Sequence, residues 1–314
     1  MTRLKKPDIK RRSPEPVADR SWYFFAGFLF IAFVYFLMPG NYVLFFQEQQ
    51  SLFLYAGDYI KEFFEKPGSP ADLVAKFLTQ FYINNFSGAL ILALVLTLPA
   101  LVIHRVNKKL IPGAALTCLL AIIPSCLLLI MQAHYYHLML YNSGFVLVLL
   151  YFLIVISPEK IRDKYSALAF FPVFFYITGA FSLIFTGIFI VYCFVYLKGR
   201  HRFLLPLTLA GLTGLSIVLF DNVMLLQSIK QLFLYPLPFI NDSLHKTMFW
   251  SMVAYLVLYP AIARMAGTFR VVKRRARIAS GIVFPSIIIF AAVSILAAAY
   301  NTQTARVINL EKLI

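Results

Sequence analysis

Nine times between Trp22 and Tyr300 the chain runs uncharged and apolar for close to the length that crosses a bilayer. The runs lie near 22–38, 86–103, 111–131, 141–157, 166–179, 182–197, 203–220, 247–263 and 279–300, and none holds Asp, Glu, Lys or Arg in its interior. In hydrocarbon a backbone must satisfy its own N–H and C=O groups, which leaves helices or closed barrels. Barrel strands alternate apolar and polar residues, and these runs are continuous. With 61% hydrophobic and 13% charged residues, the chain carries about half the charge of a soluble domain. The expected fold is an all-α polytopic membrane bundle of about nine transmembrane helices.

Charge sets the expected topology. If the nine runs alternate direction from a cytoplasmic N-terminus, 22 of the 29 Lys and Arg residues fall on inner segments and 7 on outer ones. The 13 acids divide 5 inside and 8 outside. That is the positive-inside pattern for an N-in, C-out chain. Residues 1–21 read as a basic cytoplasmic tail, 22–300 as the transmembrane domain and 301–314 as an outer tail. Small-x-small cleavage chemistry is missing after Met38, so the first run reads as a span rather than a signal peptide. The net charge of +16 is then a set of topology signals, and nucleic acid is not an expected partner. The patch Arg270, Lys273, Arg274, Arg275 and Arg277 is suited to anionic lipid headgroups.

The stretch from Ser166 to Leu197 is too long for one span and short for two, and Thr178-Gly179 near its middle predicts a tight break between two short helices. Cys118 and Cys126 stand eight residues apart on one expected helix, about 12 Å, too far for a disulfide. No cofactor is implied.

Polar chemistry is concentrated on the expected outer side. Residues 39–85 read as an outer loop with two amphipathic helices broken at Lys66-Pro67-Gly68. On a continuous first helix, Glu48, Ser51, Asp58, Glu62 and Glu65 share an arc of about 100°, opposite an apolar face. The second helix starts at Ser69-Pro70 and sets Leu73, Val74, Phe77, Leu78, Phe81 and Tyr82 on one side. Such helices lie in the membrane interface and their acids form a solvated face. The sharper expectation is that Glu48 or Asp58 turns into a cavity as a general base or metal ligand, with Asp221 as a third catalytic candidate. His134 and His137 share a helical face and are the candidate metal ligands; the alternative is interfacial polar residues in an aromatic belt.

Gln47-Glu48-Gln49, Pro67-Gly68, Phe77-Leu78-Thr79-Gln80-Phe81 and Tyr176-Ile177-Thr178-Gly179 resemble a family of uncharacterised polytopic membrane proteins of Bacteroidales, a domain of unknown function. The resemblance spans the whole chain and implies a multi-pass protein of a bacterial inner membrane. Members continue into a helical region beyond the last span, so it also implies a shortened form or a longer parent chain beyond Ile314. More loosely, an N-in start followed by an outer loop of amphipathic helices with an acid is similar to membrane glycosyltransferases of the C type. That resemblance implies a lipid-linked sugar donor and Glu48 or Asp58 as the acid.

Three functions follow as expectations. The first is a component of the cell envelope that binds membrane lipid or a protein partner. The second is a transferase acting on a lipid-linked glycan. The third is a small-molecule transporter, which usually places charge inside its spans. Whether the chain is an enzyme is left open by the residues.

Overall fold

The computed structural model describes residues 21–51, 53–112, 116–223, 234–237, 243–268 and 285–297, and among them every regular element is a helix. Helix α1 (Ser21–Leu37) meets α2 (Asn41–Gln50) at a bend of 72°. Pro39 cannot continue the α1 ladder, and the Gly40 N–H returns to the Tyr35 carbonyl at 2.7 Å to close it. Then come α3 (Gly57–Glu62), α4 (Ser69–Thr79) and a 3-10 turn, Gln80–Ile83.

The long α5 (Asn85–Leu110) begins where Asn84 Oδ1 accepts the Phe86 N–H at 2.9 Å. Helices α6 (Thr117–Gln132), α7 (Met139–Ile156), α8 (Ile161–Ala169), α9 (Phe171–Thr178) and α10 (Phe181–Tyr196) follow. The described chain closes with α11 (His201–Val223), α12 (Ser243–Thr268) and α13 (Pro285–Ala297).

The centre of the bundle is α5, which packs against α1, α6 and α7. From α1 the stripe Phe25, Phe28, Ala32 and Phe36 is buried, at the spacing of one helical face. Pro99 removes a donor inside α5, and the next amide, Ala100 N–H, donates to Ser125 Oγ of α6 at 3.1 Å. A hydroxyl on the neighbouring helix thus repairs the ladder, as membrane helices require. Helix α10 joins α7 through Gly144, where an added Cβ would lie 2.5 Å from the Phe181 ring. Helix α12 closes the bundle against α10 and α6.

Among the described residues four helices are long and apolar enough to cross a membrane: Asn85–Leu110, Met139–Ile156, His201–Phe220 and His245–Thr268. The bent pair Trp22–Leu37 and Asn41–Gln50 makes five if it counts as one span. Nine spans were expected, and length and composition alone support four to five. Helices occur at all nine expected positions, but α6 and α10 have 16 residues each. The run from 161 to 178 is divided at Phe170 into α8 and α9. The expected break at Thr178-Gly179 is present, with Gly179 at φ +56°.

The first loop also differs from expectation. The helix expected over 45–65 is interrupted: α2 ends at Gln50, and α3 starts only at Gly57. The five-residue arc of Glu48, Ser51, Asp58, Glu62 and Glu65 needed one unbroken helix and does not form. The expected apolar side of α4 and the turn after it is divided: Tyr82 is buried and Leu73 and Leu78 are half-buried, whereas Val74, Phe77 and Phe81 are exposed. The buried Ala71, Ala75 and Thr79 let α4 approach α7 closely.

Candidate functional site

Contacts sort the connecting segments into two ends. At one end α2–α4, the α6–α7 loop, the α9–α10 break, residues 234–237 and the start of α12 meet, and this end holds the polar residues that the fold brings together.

Its first part is a backbone junction. Gly68 N–H donates to the Tyr176 carbonyl at 2.8 Å, and Ala180 N–H to the Tyr235 carbonyl at 2.9 Å. A Cβ on Gly179 would stand 2.7 Å from Tyr235 O and 3.0 Å from Gly68 Cα. Both glycines have positive φ, +90° and +56°, which side chains other than hydrogen rarely tolerate. Pro67-Gly68 and Tyr176–Gly179, two of the sequence words singled out above, are therefore the two sides of one contact. Tyr176 OH adds a bond to the Phe64 carbonyl at 2.6 Å.

The second part is a buried network of uncharged side chains. His137, in the loop between α6 and α7, is fully buried together with Gln47, Gln132 and Asn142; His245 is 2% exposed. His137 Nδ1 lies 2.9 Å from His245 Nε2, and His137 Nε2 lies 3.1 Å from Asn142 Oδ1. Asn142 Nδ2 donates to Gln132 Oε1 at 2.5 Å. The Asn142 oxygen accepts from His137 Nε2–H, so His137 Nδ1 accepts from His245 Nε2–H and the chain of donors runs in one direction. Gln47 Nε2 donates to the His137 carbonyl at 2.7 Å, and Tyr42 OH to the Ala133 carbonyl at 2.6 Å. His134 stacks on His245 at 5.4 Å between ring centroids. Burial, then the His245 imidazole, pushes His137 down to about 3, so its ring is neutral at ordinary pH.

Of the two candidate metal ligands, His137 has both ring nitrogens engaged, by His245 and Asn142. Among the described residues no group of three or more His, Cys, Asp or Glu is placed to hold a metal ion.

The expected catalytic acids Glu48 and Asp58 stand on separate helices, α2 and α3. Glu48 is half-buried on α2. Asp58 is exposed and pairs with Lys61 at 3.4 Å. The side chain of Asp221 and all of Arg270, Lys273, Arg274, Arg275 and Arg277 lie outside the described residues.

The acid that the fold partly encloses is Asp72, in the first turn of α4. Its burial raises the carboxyl above the usual range, while Lys76 Nζ at 3.6 Å pulls it back. Tyr59 and Tyr235 are raised first by their own burial, and the Asp72 charge raises both further. In the sequence Asp72 is a first-turn acid, a type that marks a helix start and carries no sign of enclosure.

The opposite end is built from cations on helix ends. Lys164 Nζ donates to the Ile156 carbonyl at 3.0 Å and Lys109 Nζ to that of Ser157 at 3.2 Å. Together they satisfy the last turn of α7, where its dipole is negative. Nearby, Tyr259 OH donates to Asn107 Oδ1, and Asn107 Nδ2 donates to the Thr117 carbonyl at 2.8 Å. Arg264 lies over the Tyr196 ring and Tyr165 meets His201.

A bundle of apolar, span-length helices, with a neutral polar network under one end and basic residues at the other, is of the membrane-protein class. The chain belongs to the Family of unknown function (DUF6057), whose match covers residues 18–314. No curated protein and no solved structure matches it.

Proposed function

We propose that this chain is a multi-pass component of a bacterial inner membrane and cell envelope that binds lipid or a protein partner at the α2–α4 end. The observation that carries this is the outward apolar side of α4 and the turn after it. Val74, Phe77, Phe81 and Ile83 are all exposed on an element held rigidly by the Gly68–Gly179 junction. Solvated apolar side chains on a fixed scaffold mark a surface meant for an apolar medium or partner. A photoreactive side chain at Phe77 will form adducts with lipid or with one discrete protein, and the same group at exposed Asp58 will not. Equal labelling at the two positions removes the proposal.

The N-in, C-out arrangement with nine helical segments belongs to the same reading. Its support is that segments 104–110, 158–165 and 198–202 share the basic end, while 39–85, 132–140 and 178–181 share the other. In a background lacking the three buried native cysteines, cysteines at Glu65 and Tyr136 will label from the outer side and those at Lys108 and Arg200 from the cytoplasmic side. Mixed labelling within either pair sinks the arrangement. The Arg270–Arg277 patch would then lie on the cytoplasmic face, where anionic headgroups attract it.

A second reading, a transferase using a lipid-linked glycan, is favoured by the partial enclosure of Asp72 beside Lys76 in the first turn of α4. It requires that Asp72→Asn, and Glu48→Gln or Asp58→Asn if either of those acids serves, abolish a glycolipid product while membrane insertion persists. Normal product from all three variants ends it.

A further inference from the structure

Helices α10 and α11 pack as a hairpin, and its connection runs through Lys198-Gly199-Arg200-His201-Arg202, three permanent cations in five residues. Gly199 turns the chain at φ +66°. Tyr165 OH of α8 meets His201 Nδ1 at 3.4 Å and ties the first turn of α11 to its neighbour. On that turn the Arg202 guanidinium lies over two rings, 5.0 Å from the centre of Phe194 in α10 and 5.9 Å from that of Phe203 in α11. The rings meet edge to face at 5.7 Å. One arginine is thus seated at the end of the hairpin by a ring from each helix.

A cation–π contact holds a guanidinium by its face and leaves its N–H donors unspent. Among the described residues no carboxylate lies within ion-pair distance of Lys198, Arg200 or Arg202, and no acceptor takes the Arg202 donors. Other cations at this end are already engaged. Lys109 and Lys164 donate to the carbonyls that end α7, and Arg162 pairs with Asp163 at 3.9 Å.

The surface below Arg202 is apolar. Phe194, Phe203, Leu204 and Leu207 are exposed, Phe203 by 63%. They belong to α10 and to α11, the most exposed of the four candidate spans. Arg202 stands where this surface ends, the depth at which long cationic side chains reach headgroup phosphates.

We propose that the α10–α11 hairpin end binds the phosphodiester headgroup of an anionic phospholipid. Arg202 is its paired donor, because a planar guanidinium matches two phosphate oxygens. Lys198 and Arg200 supply the surrounding positive field, and the acyl chains cover Phe203, Leu204 and Leu207. A soluble phosphate would leave those apolar side chains bare. The site rests on the membrane class alone; it lies at the opposite end from the α2–α4 surface, and labelling at Phe77 does not depend on it.

The test is native mass spectrometry of the intact, detergent-solubilised protein titrated with phosphatidylglycerol, with phosphatidylcholine and inorganic phosphate as comparison probes. Wild type will retain phosphatidylglycerol in preference to phosphatidylcholine. Arg202→Gln will lower that affinity by more than about tenfold, the worth of a charge-assisted bonded pair. Lys198→Gln will lower it by no more than about fivefold, the effect of one cation near an anionic surface. Arg202→Lys, which keeps the charge and loses the fork, will also bind more weakly than wild type. Equal losses in Arg202→Gln and Lys198→Gln, wild-type affinity in Arg202→Lys, or displacement of the lipid by inorganic phosphate overturns the proposal. If Arg202→Gln does not insert, Arg202→Lys keeps the topology charge and is read by itself in the same way.

Discussion

Gly179→Ala will lower the melting temperature of the detergent-solubilised protein by about 10 °C, equivalent to about 4 kcal/mol of stability for a chain of this size. Two separate costs combine. Gly179 sits at φ +56° and ψ −131°, a region open almost only to glycine, and forcing a side chain there costs about 1–3 kcal/mol. The new Cβ would also stand 2.7 Å from Tyr235 O, 2.9 Å from Pro236 Cδ and 3.0 Å from Gly68 Cα. Backbone on two sides cannot give way, so overpacking adds a similar amount. Gly199 separates the two costs. It has φ +66°, but a Cβ there meets nothing within 4 Å. Gly199→Ala should therefore lose only the conformational part, about 1–2 kcal/mol. Equal losses in the two variants would mean that the junction is not tightly packed.

The second large effect is acid sensitivity through His137. Its folded-state value is about 3 against an ordinary 6.5, so folding holds the imidazole neutral. Between those values the unfolded chain binds a proton that the folded chain excludes, and stability therefore falls as pH falls. The full contribution is present above pH 6.5. Below it the loss is about 1.4 kcal/mol per pH unit, or roughly 2 kcal/mol at pH 5. The groups around the ring reinforce the sign: His245 and His134 both disfavour a charge on it, and only Asn142 favours one. Asp72 acts in the opposite direction, since its raised carboxyl favours the folded state as it protonates.

The comparison of variants isolates the histidine. His137→Leu will be less stable at pH 7, because it strands the Asn142 oxygen and the His245 N–H. Between pH 7 and 5 it will show a shallower loss than wild type. Denaturation of wild type and His137→Leu followed at pH 7, 6 and 5 reads the difference, and a His137→Leu profile parallel to wild type removes His137 from the account.

How much of this was legible in the sequence depended on whether the signal was local. The helices stand where the apolar runs stand, because hydrocarbon leaves the backbone no other choice. The breaks at Pro67-Gly68 and Gly179 were readable because proline and glycine act through their own φ. That these two breaks touch each other was not readable. The acidic arc failed because periodicity assumes an uninterrupted helix, and the chain stops at Gln50. The sequence showed that α4 has an apolar side but not which residues another helix covers; Ala71 and Ala75 go in and Phe77 goes out. Nothing in the sequence marked Gln47, Gln132 and Asn142 as partners: Gln47 stands in the polar run 47–51 and Asn142 beside Ser143, and only the fold shows that they belong to one network.

One consequence concerns the order in which the chain is made. Helices α1, α5, α6 and α7, which supply the centre of the bundle, are all complete by Ile156. Of the network side chains only His245 arrives later, 108 residues after His137. A half-synthesised bundle can therefore pack its apolar centre while the His137 ring still has an unanswered nitrogen. Insertion of α12 brings the missing imidazole. Closure of that pair is thus a chemical mark of completed assembly, and a chain truncated before His245 will carry its defect in the interior, where quality-control proteases detect instability rather than sequence.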